Sequence, residues 1–96
     1  MVNAHSHSPL AFAKGCYDLL NHRAALWMFQ AFTANRTAEE TRIAALLNSA
    51  EMLLTGTTAV IDHFPEQGFT LEEVDAVAAA YRESGMRANI ALRIFD

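Results

Sequence analysis

An α/β fold of parallel strands joined by helices is what this 96-residue sequence predicts, and three stretches predict it. Two are helices with their own start signals. Thr37-Ala38-Glu39-Glu40 and Thr70-Leu71-Glu72-Glu73 each set Thr at the cap and Glu three residues on, the capping-box arrangement. Each helix stops at a glycine, Gly56 or Gly85, and runs at once into an apolar segment, residues 57–62 or 86–95. The third stretch is the opening Val2-Asn3-Ala4-His5-Ser6-His7-Ser8, which reads as an extended segment. Strands alternating with helices imply parallel pairing and right-handed crossovers. The (β/α)8 barrel and the doubly wound open sheet both use that unit.

The elements follow in order. Pro9 bars the opening strand from continuing, and residues 10–20 read as loop with some helical turn. Residues 22–32, HRAALWMFQAF, are apolar on nearly every side and predict a largely buried helix capped by Asn21. Ala34-Asn35-Arg36 interrupts it. In the next helix Ile43, Leu46, Leu47, Ala50, Leu53 and Leu54 mark one face by their spacing. Thr57-Thr58-Ala59-Val60-Ile61-Asp62 is short, unbroken and rich in β-branched residues, as a fully buried parallel strand tends to be. Pro65 and Gly68 mark a loop. The helix after Thr70 shows Leu71, Val74, Val77, Ala78 and Tyr81 on one face. In the last strand Ala88, Ile90, Leu92 and Ile94 alternate against Arg87, Asn89, Ala91 and Arg93.

Composition narrows the function classes. With 52% hydrophobic and 19% charged residues the chain is a folded one, and rather apolar for a domain so small. Seven basic residues against eleven acidic ones leave a net charge of −4 with no basic cluster, which argues against nucleic acid. One cysteine, Cys16, rules out an internal disulfide framework. No apolar run is long enough for a membrane span, and no signal peptide is recognisable. The expectation is a cytoplasmic, soluble protein without a membrane or nucleic-acid partner; self-association stays open.

The candidate chemistry lies in the opening stretch. Side chains at i and i+2 of a strand share a face, so His5 and His7 would bring two imidazoles to one point, as a metal ion requires. Asp62-His63 ends the second strand. Active sites in both architectures lie at the C-terminal strand ends, where these residues fall. The pair alone is compatible with a surface or structural role. His63 either bonds neighbouring backbone or carboxylate in its loop or touches substrate. Asp62, like His63, touches substrate, or it supports a histidine or orients the loop backbone. Trp27, Phe29 and Phe32 are core or pocket wall, with Trp27 the best pocket candidate. His22 reads as solvent-facing or capping, and Cys16 as a bystander. Arg93 reaches the site's mouth or pairs with Asp96. The paired glutamates complement their helix dipoles. No glycine-rich phosphate loop follows the first strand, which disfavours a dinucleotide-binding sheet.

V-N-A-H-S-H-S-P together with A-E-M-L-L-T-G-T-T-A-V-I-D-H resembles the amidohydrolase superfamily. The nearest likeness is to the branch holding cytosine, guanine and S-adenosylhomocysteine deaminases and the triazine chlorohydrolases. It extends over essentially the whole chain, including Lys14-Gly15 and Trp27. The resemblance implies a partial (β/α)8 TIM barrel, with residues 1–96 forming about the first three β/α units of a longer chain. It implies a divalent metal, zinc or iron, with His5 and His7 as ligands and the remaining ligands and proton shuttle on later strands. The implied reaction is hydrolysis of a C–N bond, such as deamination, of a small molecule: a nitrogen heterocycle or related amide or amidine. The family's usual Pro-Gly before the first strand is absent. With two of about three ligands and two open sheet edges, the 96 residues alone are expected to be inactive and poorly stable. The alternative is a small doubly wound binding or structural domain whose histidines are incidental or hold a structural metal.

Overall fold

A computed structural model describes residues 1–64 and 69–93 of the chain. The strands are β1 (Val2–Ser6), β2 (Ala59–Phe64) and β3 (Arg87–Leu92). The helices are α1 (His22–Thr33), α2 (Ala38–Leu54) and α3 (Leu71–Ser84), and a 3-10 helix, Ser8–Ala13, follows β1 directly. The strands form one parallel sheet in the order β1-β2-β3. The expected turn residues Pro65 and Gly68, and Ile94 and Phe95 of the last strand, lie outside the described residues, as does Asp96.

Strand order follows chain order, and α2 and α3 pack together on one face of the sheet. That progressive winding is shared by a (β/α)8 barrel and by one half of a doubly wound sheet, whose strand order reverses only beyond its first three strands. The core fills the space between the helices and the sheet. Ala45 and Met52 of α2 and Val77, Ala80 and Tyr81 of α3 meet Val60 and Phe64 of β2, with Met86 closing the end. The opposite face of β2 carries Ala59, Ile61 and His63, each half-buried.

Both capping boxes form. The Thr37 hydroxyl accepts from the Glu40 amide at 3.2 Å while the Glu40 carboxylate accepts from the Thr37 amide at 2.8 Å. Thr70 and Glu73 repeat the exchange at 3.2 and 2.7 Å. Gly56 and Gly85, at φ of 86° and 74°, adopt the left-handed backbone that ends a helix without steric cost only in glycine. Thr37→Ala removes one half of a reciprocal pair. It is expected to cost about 1 kcal/mol of stability, measured as a shift in denaturant midpoint at unchanged slope.

Three expectations about burial are corrected. α1 is capped by Asn21, whose side chain accepts from the Ala24 amide at 3.0 Å, but the helix has no buried residue. Among the described elements it packs on the 3-10 helix, with Phe29 also edge-to-face on Tyr17 at 4.7 Å, so one side of the helix is covered and Trp27 stands 74% exposed. α2 turns a different face inward than its leucines suggest. Thr41, Ala44, Ala45, Ser49 and Met52 are buried, while Leu46 is only partly covered and Leu54 is 87% exposed. Small side chains let α2 approach α3 and the sheet closely, and the buried Ser49 hydroxyl is satisfied by the Ala45 carbonyl at 2.8 Å. β2 is not buried on both faces. Val60, Asp62 and Phe64 are buried toward the helices and their neighbours are not, because only one layer of helix covers the described sheet. The same one-sided cover leaves Leu71, at the start of α3, 79% exposed.

Candidate metal centre

The pairing of β1 with β2 slips between Asn3 and Ser6. There the Asn3 side chain accepts from the His5 amide at 3.1 Å, taking a donor that a regular ladder would use. β1 stops at Ser6, and Pro9, lacking an N–H, sits in the first turn of the 3-10 helix that begins at Ser8. The Leu10 amide bonds back to the His7 carbonyl at 3.0 Å and turns the chain away from the sheet. Lys14, just after the 3-10 helix, pairs with Glu51 of α2, and Arg36, in the turn before α2, donates to the Pro9 carbonyl.

The two imidazoles meet as the spacing requires: His5 Nε2 and His7 Nε2 are 2.9 Å apart. His7 Nδ1 lies 3.1 Å from the His63 carbonyl, which can only accept, so Nδ1 carries the proton and Nε2 of a neutral His7 holds a lone pair. The short contact then takes a proton from His5 Nε2. With His5 in the other neutral tautomer, its proton on Nδ1, two lone pairs are aimed at one point. Two nitrogens at zinc-ligand distance and a tetrahedral angle stand roughly 3.3 Å apart, so the pair needs only a small opening to share an ion. A ring nitrogen bonded to backbone carbonyl is also how metal-binding histidines are commonly oriented. Among the described residues no group of three or more His, Cys, Asp or Glu is arranged to hold a metal.

His63 belongs to β2 rather than to the loop after it, and its ring lies 4.2 Å from that of His5, tilted 34°. Asp62, one position earlier, points to the opposite face by the alternation of a strand. It is fully buried and takes no part in lining the cavity beside the histidines. It accepts from the Ser8 amide at 2.8 Å, the Ser8 hydroxyl at 2.5 Å and the Tyr81 hydroxyl at 2.8 Å. Of the roles open to Asp62, the structure shows the anchoring of backbone, at the Ser8 amide. Burial first, and then the neighbouring Asp62 carboxylate, push the Tyr81 hydroxyl well above its ordinary pKa, which keeps it a donor. Asn48 of α2 donates to the Ser6 hydroxyl at 3.0 Å and ties β1 to the helix layer.

A cavity of about 450 Å³ opens over the histidines, within the size range of small-molecule sites. His5, His7, His22 and His63, all four histidines of the chain, line it with Leu10, Leu26, Phe29 and Arg93. Trp27 does not. It sits with Arg23, Leu26 and Gln30 in a separate groove of about 270 Å³, and Phe29 supplies the aromatic wall expected of it.

Comparison with known proteins adds relatives. The chain is 32% identical, over 99% of its residues, to a 5-methylthioadenosine/S-adenosylhomocysteine deaminase of Thermococcus onnurineus, of which it covers 21%. It is 37% identical over 91% of its residues to the protein of that name from Desulfovibrio desulfuricans, covering 18%. A 5'-deoxyadenosine deaminase of Methanobrevibacter smithii is 33% identical over 99% of the chain, which covers 20% of it. The chain is a homologue of amidohydrolase-superfamily deaminases. It spans about a fifth of the length of the curated relatives it matches. No family model and no solved structure matches it.

In this deaminase homologue the cavity residue missed by reading the sequence is His22. Its signal was present. His22, Leu26 and Phe29 fall at i, i+4 and i+7, one stripe of α1, and Arg23, Trp27 and Gln30 form the adjoining stripe that lines the other groove. What the sequence could not say is which stripe faces the histidines, since each begins on a basic side chain and carries one aromatic ring.

Proposed function

We propose that the chain is the opening part of a metal-dependent amidohydrolase barrel that deaminates a small nitrogen heterocycle, with His5 and His7 as two ligands of a zinc or iron ion. One observation carries the reading: two imidazole nitrogens 2.9 Å apart, at the C-terminal end of a parallel sheet and on the floor of a cavity, in a homologue of deaminases. The bound ion supplies Lewis acidity and a water acidic enough to be a nucleophile near neutral pH.

The chain's own residues do the rest of the local work. His7 is oriented by the His63 carbonyl, and His5 is backed by the His63 ring. Phe29, Leu26 and Leu10 give an apolar wall against which a planar heterocycle stacks, and they exclude bulk water from the reacting carbon. His22, His63 and Arg93 offer polar contacts around that wall to the substrate's ring nitrogens and to the hydroxyls or charged groups it carries. The relatives' names point to a 5'-modified adenosine as the first substrate class to try. Two ligands are fewer than a catalytic zinc takes from protein, so residues 1–96 alone are inactive.

Ammonia release from 5'-modified adenosines by the full-length protein tests this. A chelator is expected to abolish it, and added zinc or iron to restore it. Release that a chelator does not touch, in protein shown free of metal, would overturn the reading.

A further inference from the structure

We infer that Asp62 is a positioning residue for the histidine pair, acting through Ser8; this rests on the metal-site reading above. The backbone ladder does not reach His7: β1 has slipped register by Ser6 and ends there. Two consecutive residues of β2 grip the chain instead. The Asp62 carboxylate takes both the amide and the hydroxyl of Ser8, at 2.8 and 2.5 Å, and the His63 carbonyl takes His7 Nδ1 at 3.1 Å. The His7–Ser8 peptide is thereby held at its side chain, its amide and its hydroxyl by groups 54 to 56 residues distant in sequence.

The arrangement costs something that packing alone would not require. Asp62 and Ser8 are 0% and 1% exposed, and a carboxylate removed from water is expensive unless its oxygens are filled by donors. An apolar residue between Val60 and Phe64 would suit the core around it. The carboxylate makes one discrimination that such a residue could not: it fixes the peptide next to a metal ligand, where ligand placement must hold to about half an ångström. Tyr81, from α3, fills the remaining demand at 2.8 Å, and its hydroxyl meets the histidine segment only at the Ser8 hydroxyl, which Asp62 already holds.

That division of partners gives the test, made in the full-length protein. Ser8→Ala and Tyr81→Phe each delete one hydroxyl bond to Asp62, but only the first removes a group of the histidine segment itself; Tyr81→Phe leaves both Ser8 bonds to the carboxylate in place. Titrated with cobalt alone and followed by its d–d absorption, Ser8→Ala and Asp62→Ala are expected to bind about 10- to 100-fold more weakly, as changes behind metal ligands do. Asp62→Asn, which keeps an oxygen for the Ser8 amide, recovers part of the loss. Tyr81→Phe loses thermal stability and keeps its cobalt affinity. In metal-free protein labelled with nitrogen-15 histidine, Ser8→Ala shifts the His7 ring resonances and Tyr81→Phe does not. Equal cobalt affinity and unmoved His7 resonances in Ser8→Ala would overturn the inference, as would an equal effect of Tyr81→Phe on both. If Asp62→Ala fails to fold, Ser8→Ala decides. If the unaltered protein binds no cobalt, the metal reading fails while the resonances still decide whether Asp62 positions His7.

Discussion

Alanine at both His5 and His7 is expected to empty the metal site of the full-length protein and lower deamination more than about a thousandfold. That is some 4 kcal/mol of transition-state stabilisation, a modest share of what a catalytic ion supplies. The two single variants should differ. His5 is exposed, and its ring nitrogen meets His7 Nε2, so His5→Ala removes a ligand and leaves the chain path intact. His7→Ala also breaks the bond to the His63 carbonyl, so it is expected to lower thermal stability as well as metal content. Metal analysis of the purified proteins beside ammonia release reads both effects. Unchanged metal stoichiometry in the double variant would remove the assignment of these ligands, whatever happened to the rate.

Two kinds of feature were open to inspection in the residues. Capping boxes, glycine stops and the i, i+2 geometry of His5 and His7 are local, and local chemistry decides them. Both boxes form as the Thr and Glu spacing demands, and the imidazoles converge. Features set by distant partners were hidden. Ala44 and Ala45 are buried and Leu54 is exposed because of how closely α2 approaches α3, a distance that hydropathy does not encode. β2 looked buried on both faces because Ala59, Val60 and Ile61 are all apolar, whereas the helices cover only one. Asp62 looked like a site residue because it neighbours His63, yet strand alternation sends the two side chains to opposite faces. The carboxylate reaches the site only through Ser8, a link between residues 54 apart in sequence.

That coupling between core and site makes Phe64→Ala the most damaging single change expected outside the histidines. Phe64 is the largest fully buried side chain, 2% exposed, at the end of the strand segment Asp62-His63-Phe64. It packs in the cluster with Met52, Val77 and Tyr81, and its carbonyl holds the Arg93 amide at 3.0 Å. Truncation leaves a ring-sized hole that small, rigidly backed neighbours such as Ala45 and Ala80 cannot fill. The expected cost is about 3–5 kcal/mol, several times that of losing the Thr37 cap. Stabilities of folded domains run to only about 5–15 kcal/mol, so the variant is expected to melt far earlier and to populate unfolded chain. Phe64→Leu keeps most of the volume and should lose much less. The two variants also separate packing from positioning. Folded Phe64→Leu retains the Ser8 and Tyr81 bonds to Asp62 and is expected to bind metal as the unaltered protein does. Denaturant unfolding beside cobalt titration measures both quantities. A Phe64→Ala protein within about 0.5 kcal/mol of the original, the range of an ordinary surface change, would show that this core does not carry the fold.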